Sequence, residues 1–172
     1  MGIAPLLSEA ARDLVEAQIK ANISTALTDV RSSWPDAVVS TEPPRSYFIY
    51  EGAHTYQCPA IFMVVTAMDF PEDELNPNHI NAIVRMGVSV VIEDREAKLL
   101  TLKAERYLSA LFQCLHRVQL EDTGKNIKIY TRVTRSEYSP LFTRKGREGE
   151  GMFRKEASIE LEIKHWENPT SY

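Results

Sequence analysis

The stretch VRMGVSVVIEDREAKLLTLKAERYLSALFQCL, Val84 to Leu115, holds two hydrophobic periods back to back. In the first part Val84, Met86, Val88, Val90 and Ile92 fall on one side, and Arg85, Ser89 and Glu93 on the other. That is the two-residue period of a strand with one buried face. From about residue 95 the period changes. Ala97, Leu100, Ala104, Leu108, Leu111, Leu115 and Val118 recur at intervals of three and four, and Tyr107 and Phe112 widen the stripe. The spacing predicts a helix over about 95–118. The junction between the two is acidic: Glu93, Asp94, Arg95, Glu96. Carboxylates at a strand end suit a metal, but adjacent strand residues point to opposite faces, and Arg95 cancels part of the field. Acids at the positive end of a new helix explain the cluster better.

The same two periods recur on either side. From Ser8, a plausible N-cap, to about Ser33, the residues Val15, Ile19, Ile23, Ala26, Leu27 and Val30 form a helical stripe that Trp34-Pro35 stops. After the proline-rich connector 35–45, RSYFIYE (45–51) and AIFMVVTAM (60–68) read as strands, the pair as a hairpin. The second is apolar at nearly every residue, as in a strand covered on both faces. DFPEDELNPNHINA (69–82) reads as a polar loop. EDTGK turns the chain at 121–125, NIKIYTRVTRSE (126–137) alternates, YSPLFTRKGREGEGM (138–152) reads as a long charged loop, and FRKEASIELEIKHWE (153–167) alternates strictly. Residues 168–172 read as a tail. The expected fold is α+β over a single domain, 1–172: two helices packed on one face of a mainly antiparallel sheet, in the order α-β-β-β-α-β-β.

Composition narrows the function. The chain has 172 residues, 44% apolar and 26% charged, with net charge −4, an ordinary globular balance that does not favour a general nucleic-acid surface. Cys58 and Cys114 stand alone, without zinc-site spacing. No apolar run approaches the roughly 20 residues of a membrane-spanning helix, and the start lacks signal-peptide features, so cytoplasmic synthesis and no membrane contact are expected. No P-loop, GxGxxG or G-x-S-x-G occurs. No enzyme activity, cofactor or metal is expected. Asp69, Glu72, Asp73 and Glu74 with His79 form the one other acidic group, and Asp69, Asp73 and His79 are the residues that a metal-dependent hydrolase would use. A solvated loop, with Pro71 opening a short helical turn, accounts for the same residues.

The loop 138–152 is long for a connection between paired strands. It carries Arg144, Lys145 and Arg147 against Glu148 and Glu150, with three glycines that permit close backbone approach. It reads as an extended interface arm that orders against an acidic neighbour.

The α-β-β-β-α-β-β order, the junction VSVVIEDREA, the helix LKAERYLSALFQCL and the closing strand ASIELEIKHWE resemble the tail-terminator, or tail-completion, ring proteins of long-tailed bacteriophages, over about residues 8–167. The resemblance implies a homohexameric ring in the virion, assembled in the host cytoplasm, that caps the tail tube and joins it to the head-side connector. The implied partners are identical subunits, the tail tube protein and a head-completion or connector protein, with DNA passing through the channel without sequence-specific binding. It carries over no catalytic residues. Its interfaces map onto 138–152, and the loop 69–82, with Asp69, Glu72 and Asp73, is the second candidate. The chain departs from the family in its connector 35–45 and its acidic loop 69–82. Another neck or head-completion protein of the same virion, or a small dimeric ligand-binding α+β domain, are the competing expectations.

Overall fold

The computed structural model describes residues 3–34, 39–49, 56–70, 82–124, 127–145 and 151–165. Nine elements follow one another: α1 (Ile3–Ser33), β1 (Ser46–Phe48), β2 (Ala60–Asp69), β3 (Ile83–Asp94), α2 (Ala97–Leu115), β4 (Val118–Asp122), β5 (Ile127–Tyr138), β6 (Phe142–Lys145) and β7 (Gly151–His165). The strands form one seven-stranded sheet in the order β1-β2-β3-β7-β5-β4, with β6 also paired to β7. All pairs are antiparallel except β1 with β2. The fold is α+β, with both helices on one face of a mainly antiparallel sheet.

The register explains the core. Met63 lies opposite Val88, which lies opposite Ile159, and Met86 lies opposite Leu161, which lies opposite Val133. Val84, Met86, Val88, Val90 and Ile92 of β3 and Ala157, Ile159, Leu161 and Ile163 of β7 are all buried on this face. The helical stripe Val15, Ile19, Ile23, Ala26, Leu27 and Val30 closes over it with Leu100, Ala104, Tyr107, Leu108, Leu111 and Leu115 of α2. Each large apolar side chain buried this way contributes about 1.5–3 kcal/mol. Polar staples fix the layers: Gln18 donates to the Cys114 carbonyl at 3.1 Å, and Thr131 donates to the Leu115 carbonyl at 2.6 Å.

Several expectations are corrected. α1 begins at Ile3, so Ser8 lies inside the helix and is no N-cap. β1 and β2 run parallel and are not a hairpin, so β2 enters the sheet at the end where β1 began, and Arg45 donates its amide to the Pro59 carbonyl at 2.8 Å. β2 is buried on its helix-facing side, while Phe62 and Val64 on the other side are only half-buried. α2 stops at Leu115, because Arg117 takes a left-handed φ of 58°, and Val118 opens β4 where the helix was expected to continue. Phe112 is exposed and stacks on His116, with ring centroids 4.3 Å apart, so it does not widen the buried stripe. The region 138–152 is not one long loop. β6 pairs with Gly151–Arg154 of β7, nearly collinear with β5 but displaced in register after Ser139-Pro140-Leu141. The order α-β-β-β-α-β-β therefore gains β4 and β6.

Candidate interaction surface

Alternation along the strands sends every second side chain to the sheet face opposite the helices, and among the described residues no helix covers that face. Its centre is a charge ladder set by register. Arg85 of β3 lies opposite Glu162 of β7, which lies opposite Arg132 of β5; Gly87 lies opposite Glu160, which lies opposite Arg135. Asp69 holds Arg85 at 2.9 Å, Lys164 reaches Glu162 at 3.6 Å, Lys128 reaches Glu121 at 3.1 Å, and Arg135 pairs with Glu137. Exposed pairs of this kind are worth about 0–1 kcal/mol each, so they add little to the fold. They make a face of interleaved charge.

Towards β1 the face turns aromatic. Phe48 stacks on Phe62 at 5.0 Å, Tyr56 stands edge-on to both at 5.9 and 5.1 Å, and the Arg154 guanidinium lies 5.1 Å from the centre of the Tyr56 ring. Burial raises the Tyr56 hydroxyl above its ordinary value, against the opposing pull of Arg154. Phe142 lies opposite Arg154 and extends the aromatic sector onto β6. Tyr138, Leu141 and Phe142 are 48%, 38% and 54% exposed, an unusual apolar concentration around Pro140.

The acids of the junction bridge neighbouring elements. Glu93 accepts from Arg154, and Asp94 accepts from the Glu96 amide at 3.0 Å and from Lys103 at 2.6 Å. The two carboxylates diverge, each to its own cation, and no metal-binding group of three His, Cys, Asp or Glu residues occurs among the described residues. A polar cleft of about 200 Å³ beside them is lined by Glu42, Arg45, Cys58, Glu93, Lys103 and Tyr107. Its charged groups already pair, Arg45 with Glu42 and Lys103 with Asp94. The cleft is where the connector straps onto α2: Arg106 donates to the Val39 carbonyl at 2.8 Å, and the Tyr107 hydroxyl donates to the Glu42 carbonyl. Burial, chiefly, pushes the Tyr107 hydroxyl far above its ordinary value, and burial pushes the Cys114 thiol up to about 11, so neither ionises near neutral pH.

Of the residues singled out in the sequence as interface candidates, Asp69, Arg144 and Lys145 lie among the described residues. Asp69 ends β2 and is paired with Arg85. Arg144 and Lys145 lie on β6, and their side chains are outside the described set. Glu72, Asp73, His79, Arg147, Glu148 and Glu150 lie outside the described residues. Sequence reasoning missed the aromatic sector and the Tyr138–Phe142 concentration. The alternation around Phe48 and Phe62 was a usable signal, but their neighbours appear only once the strands are ordered.

No family model matches the chain, and no curated protein matches it. Among solved structures, the chain is similar to one described as the virion of a native gene transfer agent particle, with TM-score 0.35 and 12% identity over 87% of this chain and 97% of the other. A second solved protein, described only by a sequence identifier, overlays with TM-score 0.41 and 13% identity over 89% of this chain and 98% of its own.

Proposed function

We propose that the chain is a structural virion protein whose copies assemble into a ring, six by the family resemblance, that caps a phage tail tube and joins it to the head-side connector. One observation carries the reading. Both helices are spent on a single sheet face; among the described residues no helix covers the other, which bears interleaved charges and an aromatic sector that reaches the exposed Phe142. Aromatic side chains and Arg are enriched at protein–protein interfaces, and interleaved charges across a contact fix its register. A head-to-tail contact that closes by rotation turns such a surface into a ring. The reading assigns no reaction to the chain; in the polar cleft Arg45 pairs with Glu42, Lys103 with Asp94, and Glu93 with Arg154.

Native mass spectrometry of the purified protein, with electron microscopy of the same sample, tests this. The expected result is a monomer in exchange with a closed annulus, with tail tubes shifting the balance to the annulus. A two-fold dimer carrying a small molecule, or a monomer at every concentration that turns over a substrate, overturns it.

A further inference from the structure

The sheet has a stepped border. β5 has 12 residues, but β4, its outer neighbour, has 5 and covers only Ile127–Thr131. From Arg132 to Tyr138 the side of β5 turned away from β7 meets no strand among the described residues, and Arg132, Thr134, Arg135, Ser136, Glu137 and Tyr138 are exposed. β6 prolongs the same open border. A strand edge of this length leaves a row of amides and carbonyls that only water or another strand can meet.

We propose that this border, Arg132 to Tyr138, is where an extended strand of a second copy adds to the sheet, a contact that rests on the ring reading above. Strand addition supplies affinity through backbone hydrogen bonds and selects its donor through the flanking side chains. Those side chains are selective here. A bulge between Val133 and Arg135 breaks the flat register, and Arg132, Arg135 and Glu137 discourage indiscriminate pairing. Arg132 is exposed and enters no ion pair among the described residues. At the covered end of the same strand, β4 sets Glu121 against Lys128 at 3.1 Å, which shows the carboxylate that a neighbour on this side provides. The chain carries net charge −4, so a sister copy has more carboxylates than cations to set against Arg132.

Hydrogen exchange measured on the monomeric and assembled wild-type protein tests the contact. Amides within 132–138 are expected to exchange about tenfold or more slowly in the assembly. The variant Arg132→Glu/Arg135→Glu is expected to keep the wild-type circular dichroism spectrum and lose assembly. A wild-type ring whose 132–138 amides exchange at the monomer rate overturns the contact and leaves the ring reading standing, whether or not a later partner protects them. A variant that folds and still assembles overturns it equally. A wild-type protein that never assembles removes both.

Discussion

Glu93 and Arg154 face each other across the β3–β7 ladder, and one oxygen, Oε1 of Glu93, accepts from both Nε and Nη2 of Arg154, at 2.9 and 2.6 Å. The side chains are 17% and 29% exposed, so the pair is partly shielded from water. Arg154 also lies against Tyr56, which ties the aromatic sector to the centre of the sheet. Replacing Glu93 by Gln removes the charge and keeps the shape. The expected loss is about 1.5–3 kcal/mol, the range for a hydrogen bond to a charged group. Urea denaturation of Glu93→Gln measures it, and a midpoint equal to the wild type refutes the pairing as a stabilising contact.

Asp94 supplies a pH dependence. Burial alone would raise its carboxyl, but hydrogen bonds from Lys103 and from the Glu96 amide outweigh that and hold it below the ordinary carboxylate value. A group depressed in the folded state stabilises the fold above its unfolded value and loses that contribution as pH falls through the folded one. Stability is therefore expected to fall below about pH 4, the ordinary carboxylate range. In Asp94→Asn part of that acid-side slope disappears, and the loss at neutral pH stays. Thermal midpoints of both proteins from pH 7 down to 3 decide it; parallel curves would show that Asp94 does not titrate as described.

The sequence was most legible where one face of an element is buried. Val84–Ile92, Ala157–Ile163 and Val15–Val30 each land in the core at the positions that their period assigns, because burying one face needs no knowledge of the partner. Direction and edges were not legible. Whether β1 runs parallel to β2 depends on the path of the connecting chain, which leaves no mark on side-chain period. β6 was hidden behind Pro140, and β4 behind a helix that ends without glycine. Of the site, Asp69 was visible as an acid, but its partner Arg85 lies 16 residues away and is found only through the β2–β3 pairing.

That unmarked helix end gives the next prediction. Arg117 adopts φ 58° one residue after the C-cap His116, whose amide donates to the Phe112 carbonyl at 2.8 Å. A side chain in this conformation crowds the backbone, at a cost of roughly 1–2 kcal/mol that glycine escapes. Glycine also gains freedom in the unfolded chain, which offsets part of the benefit. Arg117→Gly is expected to raise stability by up to about 1 kcal/mol. Arg117→Val, whose branched side chain tolerates the left-handed region poorly, is expected to lower it. Denaturant titrations of the two variants must move in opposite directions, and a shift of both the same way would remove the left-handed turn as the reason that α2 stops where it does.

Thr131 sits where α2, β4 and β5 meet, fully buried at 0% exposure. Its hydroxyl lies 2.6 Å from the Leu115 carbonyl and 3.2 Å from the Val118 carbonyl, the last of the helix and the first of β4. The helix end leaves carbonyls without intrahelical partners, and the hydroxyl of a neighbouring strand meets one of them. Thr131→Val keeps the shape of the side chain and removes the donor, leaving a buried carbonyl unmet at a cost of about 1–3 kcal/mol. Thr131→Ser keeps the donor and loses only a methyl group, for about 0.8 kcal/mol. The β4–β5 ladder should also open locally in the valine variant, because Val118 lies opposite Thr131 in that pair. Hydrogen exchange is therefore expected to speed up over 118–122 in Thr131→Val and to change little over β3. If valine and serine cost the same, the hydroxyl holds nothing, and packing alone fixes the helix against the strand.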